Sequence, residues 1–232
     1  MQKLSFVLIF ALLSAACAPA QQIERVADIT PPMASTFAAS KSTVYERSIL
    51  RSTVGESILT LQTGLACVGN TEATATSHQQ AVVDQDYENA FQEEFAKAGY
   101  RIAKTVGSGD LFTDKKLIPS DFRIAGVITK RKMNICNSVA GTKGEASLTV
   151  EWQVWDNSKN AVVYVTKQKG YAIEGWSTQP FLTVARDIWL AAFSRAVRGL
   201  LADDGFLALL SGASTTPVVK QGIGTRSSTS PG

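Results

Sequence analysis

Few side chains in this sequence could do chemistry. The chain of 232 residues holds one histidine and three cysteines. A serine or cysteine nucleophile needs a positioned base, and His78 is the only imidazole in the sequence. It sits in the polar stretch Thr74-Ala75-Thr76-Ser77-His78-Gln79-Gln80, where a solvated loop histidine is expected. Asp203-Asp204 follows a helix end and reads as surface punctuation, not an acid–base dyad. Val106-Gly107-Ser108-Gly109-Asp110 lacks the Lys-Ser/Thr of a phosphate-binding loop and reads as a flexible turn. Thiols without a nearby histidine make a poor zinc site, which wants four ligands of the Cys or His kind. No catalytic residue, metal or cofactor is therefore expected, and the chain is read as a protein that is not an enzyme.

Binding has better candidates. Lys130-Arg131-Lys132 is the densest basic cluster and could meet anionic head groups or an acidic partner. Trp155 falls on the polar parity of its strand, and Trp176 is expected in a loop, Glu174-Gly175-Trp176-Ser177. Tryptophan outside a core can anchor an interface. These five residues are the partner-binding candidates, each set against the plainer reading of a solvated strand end or a ring folded back onto the body.

The N-terminus supplies the most specific pattern. Lys3 is followed by the apolar run Leu4 to Leu13, then Ser14-Ala15-Ala16 and Cys17. A basic tip, a short hydrophobic stretch and small residues make a secretory leader. The run is too short to cross a bilayer as a helix, which takes about 20 residues. With a cysteine directly after the small residues, the segment resembles the lipobox of bacterial lipoproteins, with Ser14 where leucine is commonest. That resemblance implies cleavage before Cys17, acylation of its sulfur and membrane attachment. Because Ala18 is not aspartate, it also implies sorting to the periplasmic face of the outer membrane. A cut after Ala20, at Ala18-Pro19-Ala20, would instead leave a soluble secreted or periplasmic protein.

If Cys17 carries lipid, Cys67 and Cys136 remain as a disulfide or as two separate buried thiols. A periplasm permits the bond. We expect it because both cysteines fall just past the ends of apolar strands. The formal charge of +3 is too balanced for a dedicated nucleic-acid binder.

The elements that must position these residues follow from periodicity. Ser57 to Thr63 reads as a strand, and Asp84 to Ala98 as a helix with Tyr87, Phe91, Phe95 and Ala98 in one stripe. Acids at its start and Gly99 after its last turn match helix boundaries. Tyr100 to Thr105 is a short strand, and Phe122 to Ile128 an apolar, central one. Ala146, Leu148, Val150, Trp152 and Val154 alternate with polar residues, which is the clearest strand signal in the chain. After the turn Asp156 to Asn160, residues Ala161 to Lys169 return as its partner. Phe181 to Leu201 is an amphipathic helix with Ala185, Ile188, Trp189, Ala192, Ala196 and Leu200 inward. The expected fold is α/β (α+β): a two-layer sandwich whose mixed sheet of about five strands carries two main helices on one face. The expected organisation is a signal peptide over 1–16, a flexible tether over 17–55, a domain over 56–210 and a disordered tail over 211–232.

The run Phe95-Ala96-Lys97-Ala98-Gly99-Tyr100-Arg101-Ile102, the strand Asp121 to Ile128 and the stretch Leu148 to Asp156 resemble a group of envelope modules. These are the curli-secretion lipoprotein CsgG, the synthase-activating lipoprotein LpoB and the N-terminal domain of TolB. The resemblance rests on order and pattern across residues 56–205. It implies a non-enzymatic binding or assembly module facing the periplasm, with another envelope protein, or a second copy of the chain, as partner. An accessory unit or weak hydrolase of the envelope, and a sensor of a small ligand, are the alternatives.

Overall fold

The computed structural model describes residues 20–34, 41–64, 66–76, 85–100, 102–104 and 120–212. His78, Gly107 to Asp110, Cys17 and positions 213–232 of the tail lie outside them.

In chain order the elements are β1 (Thr43–Leu50), β2 (Ser57–Thr63), β3 (Gly69–Thr74), α1 (Gln85–Lys97) and β4 (Ile102–Lys104), then β5 (Phe122–Ser138), β6 (Gly141–Asp156), β7 (Ala161–Ser177), α2 (Phe181–Leu201) and α3 (Asp204–Leu210). The class is α+β. The sheet is mixed, as expected, but among the described residues it has seven strands where about five were expected.

Its axis is β5. Along one side β5 pairs antiparallel with β6 from Phe122↔Asp156 to Ser138↔Gly141, and β6 pairs antiparallel with β7. Along the other side β5 is shared between two parallel partners. Phe122 to Ile128 lie beside β1, and Met133 to Asn137 lie beside β2. A register shift between Ile128 and Lys130 marks the changeover. β4 completes one branch, parallel to β1, and β3 the other, antiparallel to β2. The expected strand end at Ile128 is therefore corrected: the polar run beginning at Thr129 continues the strand because a second neighbour takes over its hydrogen bonds.

The core grows from the alternation read in β6. Ala146, Leu148, Val150, Trp152 and Val154 are all buried. Phe91 of α1 and Phe193 of α2 both meet the Trp152 ring, at 5.3 and 5.7 Å between centroids. Phe91 also stacks on Phe95 of its own helix at 4.4 Å and on Tyr45 of β1 at 4.2 Å. Gly126 makes room for this cluster, since a Cβ there would stand 2.9 Å from the Trp152 ring and 2.6 Å from the Ser48 hydroxyl. Gly99, at φ +88°, ends α1 in the left-handed conformation that favours glycine. The Tyr100 N–H then donates back to the Phe95 carbonyl. The buried stripe of α2 is rotated from the expected one: Val184, Phe193 and Val197 are inside, whereas Ala185 and Trp189 are half-buried.

The expected tether over 17–55 is corrected at its described residues, 20–34 and 41–55. Residues 20–34 run across the body as a strap, and Thr43–Leu50 is a sheet strand. Composition concealed this strand because its centre, Glu46-Arg47-Ser48, is polar. Burial is tolerated there because Arg123 of β5 meets the Glu46 carboxylate at 2.8 Å, with both side chains almost fully enclosed.

Candidate functional site

Where β5 and β6 meet in their hairpin, several features converge. The β2–β3 connection is a tight turn in which the Cys67 N–H reaches the Gly64 carbonyl, and Cys67 takes φ +55°. This aims its sulfur at Cys136 of β5, and the two form a disulfide with Cα atoms 5.6 Å apart. The expected bond is thus present in the structure. Cys136 faces Lys143 across the β5–β6 ladder. The Lys143 ammonium in turn sits 4.5 Å from the centre of the Trp176 ring on β7, a cation–π contact.

Lys143 and Glu145 alternate with Gly144, whose side of β6 is turned toward Ile188 of α2. They therefore open onto the opposite side of the sheet, and there the strap begins. Asn134 donates to the Gln21 carbonyl at 2.7 Å, and Gln21 also donates to the Ser57 hydroxyl. Arg25 pairs with Glu145 at 3.1 Å and lies 5.8 Å from the Tyr171 ring centre. The Tyr171 hydroxyl donates to the same carboxylate at 2.8 Å. Burial, reinforced by that carboxylate, pushes the Tyr171 phenol above its ordinary range. Glu24 meets Lys169 at 2.5 Å, and Asp28 reaches Arg198 of α2 at 2.9 Å. At the strap's far end the Ala34 N–H donates to the Ala98 carbonyl at the end of α1. A groove of about 230 Å³ lies between the start of the strap and the strands, bounded by Ala20, Arg25, Cys136, Lys143, Glu145 and Ile173. Its charges are mixed, and the sulfur within it is tied up in the disulfide. Among the described residues, no cluster of three or more His, Cys, Asp or Glu could hold a metal ion.

The five partner-binding candidates do not come together. Lys130, Arg131 and Lys132 lie opposite Thr149, Leu148 and Ser147 in the middle of the sheet. Lys130 is exposed, whereas Arg131 and Lys132 are half-buried. Burial lowers the pKa of Arg131 from its ordinary value. Trp155 stands near the β6–β7 turn, and Trp176 near the disulfide. Roughly 40 Å of strand separates them at 3.3 Å per residue. Trp155 is half-buried and pairs with the exposed Val162, while Val165, also exposed, follows on the same side opposite Gln153. Asp203 proves to be structural. It caps α3 through the Gly205 and Phe206 N–H groups and accepts from Tyr164, Thr166 and Gln168 of β7. Periodicity alone missed Arg25, Lys143, Glu145 and Ile173. The signal available was the spacing Ile23, Val26 and Ile29, which suits an extended segment laid on a surface more than a free linker.

The sequence matches no protein-family profile and no curated protein. Solved structures show only distant likeness to it. A DUF330 protein from Xanthomonas campestris is 12% identical with a TM-score of 0.41, covering 82% of this chain and 96% of its own. A candidate lipoprotein from Caulobacter crescentus is also 12% identical, with a TM-score of 0.36 over 66% of this chain and 91% of its own. The protein CT253 from Chlamydia trachomatis is 9% identical, with a TM-score of 0.38 over 75% of this chain and 98% of its own. Likenesses this distant assign neither a family nor an activity. Among the described residues, no helix is long and apolar enough to cross a membrane.

Proposed function

We propose that this chain is a lipid-anchored envelope protein, held through Cys17 on the periplasmic face of the outer membrane, that acts by binding another envelope protein. The observation that carries the compartment is the Cys67–Cys136 bond. Disulfides persist in oxidising compartments and are rare in a reducing cytosol. It agrees with the leader and with the lipobox-like Ser14-Ala15-Ala16-Cys17.

The partner-binding reading is supported by the apolar strip beside the β6–β7 turn. Trp155, itself partly buried, lies next to Val162 and Val165, which are 40% and 52% exposed. Apolar side chains grouped on the outer strand of a sheet suit a contact that another protein covers. The small-ligand alternative is weaker, because the groove of about 230 Å³ falls below the 300–1,000 Å³ usual for such sites.

A photo-crosslinking residue placed at Val162 or Val165 in whole cells tests this. The expected outcome is a discrete adduct with another envelope protein, absent when the probe replaces the neighbouring exposed Lys159. Equal background at all three positions would refute the strip as the contact.

A further inference from the structure

We propose that the disulfide end of the sheet is a membrane-facing surface, laid against the bilayer in which Cys17 is anchored. The inference rests on the lipid-anchor reading above and deepens it by fixing which side of the protein meets lipid.

Chain length limits how far the anchor can stand from the body. Ala20 already borders the groove beside Lys143 and Ile173. Cys17 precedes it by three residues. A fully extended chain spans at most about 3.6 Å per residue, so at most about 11 Å can separate the acylated residue from the folded body. The strap cannot pay out further chain cheaply, because it is held by Asn134 at Gln21, by Glu145 at Arg25 and by Arg198 at Asp28. A body so closely attached has to rest with this end at the membrane surface.

The residues found there suit that position. Trp176 is 48% exposed and Ile173 60% exposed, beside the groove. Val139, at the tip of the β5–β6 hairpin, is 89% exposed, and Val68 stands next to the disulfide. Tryptophan favours the head-group level of a bilayer, where its ring is sheltered and its N–H stays wet. Lys143, held over that ring, can lay its stem along apolar surface while its ammonium reaches phosphate oxygens. The charges at this end are mixed: Glu145 is engaged by Arg25 and Tyr171, and Glu174 is exposed. Net charge therefore does not hold the contact; the short attachment brings these apolar side chains to the lipid. A protein occupant would need no such proximity to the anchor, whereas a bilayer requires it.

The test uses the full lipidated protein in phosphatidylethanolamine–phosphatidylglycerol vesicles containing brominated phosphatidylcholine, a short-range quencher of tryptophan emission. Palmitate labelling is measured on the same preparations. The expected result is palmitate incorporation, with bromolipid quenching that falls by about half or more in Trp176→Phe, because the ring at the interface is the one removed. Inserting about twelve Gly/Ser residues between Cys17 and Ala20 adds roughly 20 Å of slack. It should likewise reduce quenching while labelling persists. Labelling without quenching, equal quenching in Trp176→Phe, or full quenching after the insertion would each overturn the orientation and leave the anchor standing. Absence of labelling would remove the anchor itself, and the orientation with it.

Discussion

Gly170 is the position at which a single methyl group tests how α2 is docked on the sheet. A Cβ built there would lie 1.8 Å from the Ala192 carbonyl oxygen, 2.8 Å from its carbon and 3.0 Å from the Ala196 nitrogen. All three are helix backbone atoms, so no side-chain rotation relieves the contact. An ordinary carbon–oxygen approach of about 3.3 Å requires α2 to retreat by roughly 1.5 Å, and a gap of even 0.5–1 Å forfeits a quarter to a half of each dispersion contact. The helix buries Val184, Ile188, Ala192, Phe193, Ala196, Val197 and Leu200 against this body, so the loss spreads along its length. Overpacking usually costs about 1–3 kcal/mol. The rigid neighbour places Gly170→Ala near the top of that range, offset by about 0.4–1 kcal/mol from restricting the unfolded chain. We expect a net loss of about 2–2.6 kcal/mol. With a urea slope near 2 kcal/mol/M, that lowers the midpoint by roughly 1–1.3 M. Gly144→Ala, whose Cβ would meet the Asn134 carbonyl at 2.7 Å, should fall in between. Gly175→Ala meets nothing within 4 Å and should stay within about 0.5 kcal/mol of the parent. Urea unfolding followed by circular dichroism, with the disulfide intact, ranks the three. A Gly170→Ala midpoint equal to that of Gly175→Ala would refute the docking geometry.

Two further outcomes are expected. The disulfide closes a loop with a sequence separation of 69, for which chain-entropy reasoning gives about 4 kcal/mol of stabilisation. The pair Cys67→Ala/Cys136→Ala should lose most of this in denaturant titrations, and the parent should show no alkylatable thiol at either position until it is reduced. Asp121 accepts hydrogen bonds from the Ser42 N–H and hydroxyl, which hold its carboxyl below the ordinary value and tie the start of β5 to that of β1. A depressed folded-state pKa stabilises above the unfolded value of about 3.9 and is lost as pH falls through the folded one. The stability gap between the parent and Asp121→Asn should therefore hold steady above about pH 5 and close progressively below about pH 4. A gap unchanged at pH 3 would rule this linkage out.

Local periodicity was enough to write much of this protein. The alternation from Ala146 to Val154, the Tyr87–Phe91–Phe95 stripe and the long helix from Phe181 to Leu201 each carry their structure in neighbouring residues, and each is found where its pattern places it. The Cys67–Cys136 bond was expected from cysteines placed just past apolar strands, which is so for Cys67, whereas Cys136 lies within β5. What local pattern could not carry was any element whose burial depends on a distant partner. β1 looks like linker until Arg123, 77 residues on, neutralises Glu46. β5 looks finished at Ile128 until β2 takes over from β1 as its neighbour. The scattering of the basic cluster, Trp155 and Trp176 has the same origin: Trp176, expected in a loop, lies on β7, and strand register decides which end of a long sheet each residue occupies. Residues 20–34 became a strap only because Asn134, Glu145, Lys169 and Arg198, all far along the chain, offer it hydrogen bonds and charges in one line. Short-range order follows from side-chain spacing, which a sequence displays. Long-range pairing follows from which desolvated groups find partners once the chain has closed on itself, and only the folded arrangement decides that.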